Sequence, residues 1–318
     1  MTTTSGTPSR SRTPLDQAAV DEALAGLDVG RVLLVPATGS TSTDLVAAVT
    51  ADPAAWPDRS LLVTDHQRAG RGRAGRSWTT PQGAALTLSV LLRPTVPLDR
   101  FGWVPLIAGL AVVRGIGEVT GIQAGLKWPN DVLLRAADGS ELAGWGPHRK
   151  VAGVLSELVT GPAGPAVVVG IGLNVSQTSA ELPVPSATSL ALALEGARTG
   201  RTGRMEGTDG TEADEASGAV LDRAALLRAV VSDLIELDGL WRAGDGSVQR
   251  EVASACLTLG ATVQVELPGG GVLEGVARGF SAEGALEVVD VEGRVRTVLA
   301  GDVHHLRAPG APVTSRGR

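Results

Sequence analysis

The sequence predicts an α+β protein in two folded parts, a large domain of β-strands and helices followed by a small β-barrel. Three patterns carry this. Runs such as "LLVTD" (61–65), "ALTLSVLL" (85–92) and "AVVVGIGLNV" (166–175) are apolar at consecutive positions, as in strands covered on both faces. Leu226, Val230, Leu234, Leu237 and Trp241 recur at helical spacing. Near the end, "TVQVEL", "GVLEGVARGF", "ALEVVDV" and "RVRTVLA" alternate apolar and polar residues between "PGGG", "SAEG" and "EG" turns.

In chain order, residues 1–14 read as a disordered start, and Asp16 to Leu27 as a helix. Strands are predicted at 32–35, 61–65, 85–92, 131–134, 151–159 and 166–175, with helices near 98–119 and 222–242. The segment 136–149 reads as a hairpin insertion. Residues 198–218 are rich in Gly, Thr and Glu and read as a flexible surface loop. This divides the chain into a domain over 15–252, a barrel over 253–308 and a disordered tail over 309–318.

The 318 residues are 43% hydrophobic, ample for a packed core. Net charge is −6, so the molecule as a whole is not built to coat nucleic acid or an anionic membrane. Cys256 is the single cysteine, and no intrachain disulfide can form. The longest strongly apolar stretch, 103–113, is short for a bilayer and reads as a buried helix. The start lacks the apolar core of a secretory signal, and a cytoplasmic protein is expected.

Against this acidic background, "HQRAGRGRAGRSW" (66–78) packs Arg68, Arg71, Arg73 and Arg76 between glycines. It contains a literal G-x-G-x-x-G, but it leads into a turn and a strand. A dinucleotide fingerprint must open a helix instead, and that reading is rejected. No P-loop motif is present. Glycines let backbone N–H groups approach an anion, and arginines supply planar charged forks for carboxylate and phosphate. Four like charges in one loop repel until anions arrive, so the loop is expected to order around a ligand. A solvated basic turn is the plain alternative.

Other constellations are weaker alone. Ser40, Thr41 and Ser42 read first as helix caps, and small hydroxyls in a row also suit a neutral polar ligand. "LKWPND" places Lys127, Trp128, Asn130 and Asp131 around a proline-fixed turn, which can be structural only. Lys150 heads an apolar strand, where a lone lysine is ordinarily solvated. Asn174 ends a buried strand and needs hydrogen-bond partners.

The order "GSTS", "GRGRAGRSW", "KWPND", "KVAGVLSE", "GIGLN", then a small β-domain, resembles the biotin protein ligase family over about residues 30–308. The form implied lacks an N-terminal DNA-binding domain, so a ligase rather than a repressor is expected. The resemblance implies a mixed β-sheet flanked by helices, followed by an SH3-like β-barrel. It implies joining of biotin's carboxylate to the α-phosphate of ATP, with Mg²⁺, and transfer of biotin from biotinoyl-5′-AMP to a lysine of a biotin carboxyl carrier domain. No DNA or membrane partner is expected.

Carried over by position, Arg71, Lys150 and Asp131 are the catalytic candidates. Ser40, Thr41, Ser42, Gln67, Arg71, Gly72, Arg73 and Lys150 would meet biotin. Arg73, Arg76, Trp78, Lys127, Asn130 and Asn174 would meet ATP or the adenylate. Asp131 is also a candidate acceptor for the proton of the carrier lysine. No metal ligands are assigned. One departure is Ser42, where the family usually has asparagine. Its shorter reach puts one hydrogen bond to biotin in question. The alternatives are a lipoate or octanoate ligase of the same fold, and a non-catalytic module binding nucleic acid or protein.

Overall fold

A computed structural model describes residues 12–202 and 221–306. Helix α1 (Gln17–Leu24) is capped by Asp16, whose side chain accepts from the Ala19 N–H. Strand β1 (Val32–Val35) leads to α2 (Thr41–Ala51), and β2 (Leu61–Thr64) to a two-strand ribbon of β3 (Gly70–Arg71) and β4 (Ser77–Trp78). Then follow β5 (Ala85–Leu92) and the long helix α3 (Val104–Thr120). A tight 3₁₀ segment over Leu98–Trp103 precedes α3, and Pro105 sits in its first turn, where no N–H is needed. Strands β6 (Ala124–Lys127), β7 (Asp131–Arg135), β8 (His148–Val159) and β9 (Ala166–Asn174) complete one sheet.

The sheet runs in the order β1-β2-β5-β9-β8-β7-β6. β1 pairs with β2 in parallel, and the other pairs are antiparallel, so the sheet is mixed. The interior strand β5, next to the central β9, is buried along its whole length, in keeping with its unbroken apolar run. Helices α4 (Leu190–Thr202), α5 (Arg223–Arg242) and α6 (Ser247–Ala255) follow. The core of α3 against α5 and the sheet holds Leu106, Ile107, Leu110, Ile116, Leu226, Val230, Leu234 and Leu237. Gly115 of α3 lets α5 approach, because a Cβ there would stand 2.9 Å from Val230 Cγ2. The helical stretch Leu98–Thr120 is apolar and long enough to cross a membrane, but it is largely buried within the protein.

The last part is a five-stranded antiparallel sheet, in the order β13-β12-β11-β10-β14. It comprises β10 (Thr262–Glu266), β11 (Val272–Phe280), β12 (Leu286–Asp290), β13 (Val295–Val298) and β14 (Asp302–His305). This is the architecture expected of the SH3-like barrel.

Several expectations change. Residues 198–202 belong to α4 and not to a loop, while 203–218 lie outside the described residues. Strands β6 and β14 and helices α4 and α6 had no sequence assignment. Residues 12–14 are not loose. Arg12 pairs with Glu181 at 2.7 Å, and the Thr13 carbonyl accepts from Arg223 Nη2 at 2.6 Å. Of the segment 136–149, residues 136–147 connect β7 to β8, while His148 and Arg149 already belong to β8, opposite Arg135 and Leu134.

Candidate active site

A cavity of about 630 Å³ opens over one face of β9 and its neighbours. Gly170 and Gly172 lie on that face, and Gly153 of β8 pairs with Gly172. Three missing side chains make a trough. A Cβ on Gly172 would stand 2.6 Å from Trp78 Cε2, and one on Gly170 only 2.3 Å from Ser42 Oγ. The glycines are therefore what allows Trp78 and Ser42 to lie down on the sheet.

One end of the trough is a chain of buried polar groups. Gln67 Oε1 accepts from the Thr41 N–H at 2.9 Å. Ser89 Oγ bonds Thr41 Oγ1 at 2.8 Å and Ser42 Oγ at 3.0 Å. Ser40 caps α2 through a 3.4 Å bond from the Thr43 N–H, so its capping role and its place on the cavity wall coexist. These groups are uncharged and offer both donors and acceptors, which suits a neutral polar head.

The other end is charged. Lys150 Nζ stands 2.5 Å from Asp131 Oδ1 and lies over Gly153, with the Trp78 ring centroid 5.7 Å away. Lys150 is not a solvated strand end, because β8 already begins at His148. Asn174 is locked at both atoms of its amide. Its Nδ2 donates to the Thr188 carbonyl at 2.9 Å, and its Oδ1 accepts from Gln177 Nε2 at 2.8 Å. From Gly170 to Asn174 is about 14 Å at the rise of a β-strand. The trough thus runs from a neutral polar end to a cationic end.

The ribbon β3–β4 forms the roof. Ala74 and Gly75 take left-handed backbone angles at its tip, and the Gly72 N–H donates to the Arg76 carbonyl at 2.6 Å. Arg71 pairs with Glu157, and Arg76 with Asp302 of the C-terminal domain. Arg73 Nη1 donates to Asn130 Oδ1 and to the Gly301 carbonyl, each at 3.3 Å. Burial pushes the Arg73 guanidinium below its usual range, opposed by Asp131. The expected repulsion among the arginines is met here by acids of the chain itself, not only by a ligand.

The "KWPND" turn is structural and lines the site at once. Trp128 is buried, its N–H donates to Thr258 Oγ1 at 3.1 Å, and its bond to Pro129 is cis. Asn130 Nδ2 donates to the Val154 carbonyl at 2.8 Å, and the Val154 N–H returns to the Asn130 carbonyl at 2.9 Å. That grip presents Asn130 and Asp131 to the cavity.

Ser40, Thr41, Ser42, Gln67, Arg71, Gly72, Arg73, Arg76, Trp78, Asn130, Asp131, Lys150 and Asn174 all line this one cavity. Lys127 does not. It is buried behind the wall, with Nζ 4.2 Å from the Trp145 ring centroid. Burial lowers its ammonium to about 8, opposed by Asp131 and reinforced by Lys150 and Arg76. The sequence reading missed Ser89, the trough glycines, Trp145 and the wall over 183–187. The spacing of Gly170 and Gly172 was the available signal for the trough, since i and i+2 on a strand share a face.

The fold and site define a protein of the biotin/lipoate ligase class. Residues 35–174 match the Biotin/lipoate A/B protein ligase family, and residues 258–306 match the Biotin protein ligase C terminal domain. The chain belongs to the biotin protein ligase family. It is 37% identical over 308 residues to a biotin–[acetyl-CoA-carboxylase] ligase of Mycobacterium tuberculosis, covering 94% of this chain and 98% of that one. It is 26% identical to the bifunctional ligase/repressor BirA of Escherichia coli, over 91% of this chain and 78% of that one. Among solved structures, the biotin protein ligase of Aquifex aeolicus in complex with biotin and ATP superposes with a TM-score of 0.63 at 27% identity. That match covers 87% of this chain and 99% of that one.

Proposed function

We infer that the chain is an ATP-dependent biotin ligase that forms biotinoyl-5′-AMP and passes biotin to a lysine of a biotin carboxyl carrier domain. The observation that supports this most is the polarity of the trough. Its neutral, hydrogen-bonding end suits a ureido head, its Trp78 wall suits an alkyl arm, and its cationic end suits a carboxylate meeting a phosphate.

The carboxylate oxygen attacks the α-phosphorus, and pyrophosphate leaves. Two anions must meet, and at about 4 Å and an effective dielectric of about 20 each unit pair repels by about 4 kcal/mol. Lys150, Arg71 and Arg73 offset that repulsion from fixed positions. Mg²⁺ enters with the ATP phosphates as part of the substrate. Among the described residues no three His, Cys, Asp or Glu side chains gather as ligands. Arg76, Asn130 and Asn174 hold the nucleotide, while Lys127 acts from behind the wall through its charge. The carrier lysine's amine then attacks the acyl carbon, AMP leaves, and Asp131 takes the amine's proton. Ser42, in place of asparagine, contributes a hydroxyl already tied to Ser89. A cytoplasmic site of action is part of the same proposal.

The test mixes the pure protein with biotin, ATP and Mg²⁺ and looks for the acyl-adenylate by mass spectrometry. Its appearance with biotin supports the reading. Its appearance with lipoate and not biotin moves the chain to the related substrate class, and no adenylate with either removes the enzymatic reading.

A further inference from the structure

We propose that Arg12 is a positioning residue for the nucleotide end of the site, acting through the segment over 176–188. The inference rests on the reading of Asn174 as a nucleotide contact. Arg12 lies outside every motif, in the terminal stretch "SRSRTP".

Its guanidinium ties two points of one turn together. Nε donates to Ser176 Oγ at 3.1 Å and Nη2 to the Ser176 carbonyl at 3.1 Å. Nη1 and Nη2 donate to the two oxygens of Glu181 at 3.1 and 2.7 Å. A planar fork can span both points, whereas an ammonium is a point charge. The same contact holds the Glu181 carboxyl down to about 2. Glu181 in turn accepts from the Thr178 N–H at 2.9 Å.

Gln177 sits inside that tied turn, and its Nε2 fixes Asn174 Oδ1. Beyond it, Pro183, Val184, Ser186 and Ala187 form the cavity wall. The far end of the wall is pinned to the strand of Lys150. The Lys150 N–H donates to the Ser186 carbonyl at 2.7 Å, and the Thr188 N–H to the Lys150 carbonyl at 2.8 Å. Arg12 therefore anchors one end of a wall whose other end is the candidate catalytic lysine.

The anchor is itself held to the core. The Leu15 N–H donates to Asp65 Oδ1 at 3.1 Å, and Asp65 pairs with Arg223 at 2.7 Å, both side chains being buried. An anchor on the core keeps the wall, and with it Asn174, in its binding-competent arrangement. Loss of the anchor lowers the populated fraction of that arrangement and weakens apparent nucleotide affinity in proportion. The neutral polar end of the trough is built from other elements and is not touched.

The test compares wild type, Arg12→Ala and Arg12→Lys in steady-state adenylate formation, thermal melting and hydrogen exchange of the unliganded protein. Arg12→Ala is expected to raise the KM for ATP about fivefold or more, with the KM for biotin within about twofold. Exchange should rise over 176–188, and the melting temperature should stay near that of wild type. Arg12→Lys should recover the ATP KM only in part. Unchanged exchange over 176–188, or an unchanged ATP KM, overturns the proposal. So does a rise in both KM values together with a lowered melting temperature, which marks a plain fold anchor. A wild type that makes no adenylate sinks the functional reading instead, and the exchange arm still decides whether Arg12 orders the wall.

Discussion

Lys150 Nζ lies 2.5 Å from Asp131 Oδ1, and both side chains face the same cavity. The pair spans adjacent strands, because Asp131 stands opposite Gly153 and the Lys150 side chain reaches back over that glycine. A cation and a carboxylate are thereby held together at the cationic end of the trough.

Removing that cation should stop the first half-reaction. Lys150→Met is expected to lower the rate of adenylate formation by about a hundredfold or more, the scale of losing one preorganised charge donor. Asp131 then loses its partner within a half-buried site. The double variant Lys150→Met/Asp131→Asn relieves that charge, so it should melt closer to wild type while remaining inactive. Single-turnover rates and melting curves check both.

The trough depends on the absence of a side chain at Gly172. Gly172→Ala would place a methyl 2.6 Å from Trp78 Cε2, and the indole must leave its slot. The expected outcome is a loss of stability of about 1–3 kcal/mol, the usual range for overpacking. The KM for biotin should rise about tenfold or more, because the displaced ring occupies the trough. Titration with biotin, followed by calorimetry, reads the second effect directly.

Ser42 tests the neutral end. Its hydroxyl is buried and bonded to Ser89. Ser42→Ala removes one modest hydrogen bond, about 0.5–1.5 kcal/mol net. The affinity for biotin should fall severalfold while the adenylation rate at saturation is preserved, as seen by separate KM and kcat measurements.

His305 gives a pH dependence. Burial first, then the charges of Lys127, His148 and His304, lower its imidazole from 6.5 to about 4. The folded state thus binds the proton less readily than the unfolded chain. The stability tied to this group is complete above about pH 6.5 and is lost as pH falls toward about 4. His305→Gln should flatten the stability profile in that window. Melting temperatures measured across it provide the check.

The order of the motifs made much of the site legible. A proline-fixed "PND" turn does not decide its chemistry alone, but the candidates that the family resemblance implies converge, and thirteen of the fourteen residues line one cavity. Lys127 lies behind the wall; a motif gives neighbours in sequence and not the direction a side chain takes. It sits at the end of edge strand β6 with its charge turned under Trp145. Glu157 and Asp302 were illegible as partners of Arg71 and Arg76, since 86 and 226 positions separate the pairs. Gly153, Gly170 and Gly172 act by lacking a side chain, which pattern reading passes over. In the fold, the long apolar strands were evident, while short β14 and the polar C-terminal half of α4 carry little periodic signal. The sequence shows Arg12 only as part of a loose terminus, because its partners at 176 and 181 are fixed by tertiary packing alone.

The central claim is that one trough joins a neutral, ureido-type head at its polar end to carboxylate activation at Lys150. Exchange of labelled pyrophosphate into ATP measures this most directly. Wild type should show exchange that depends on biotin and is silent with lipoate, and Lys150→Met should abolish it. Exchange that runs equally well without biotin, or survives in Lys150→Met at the wild-type rate, would contradict the account.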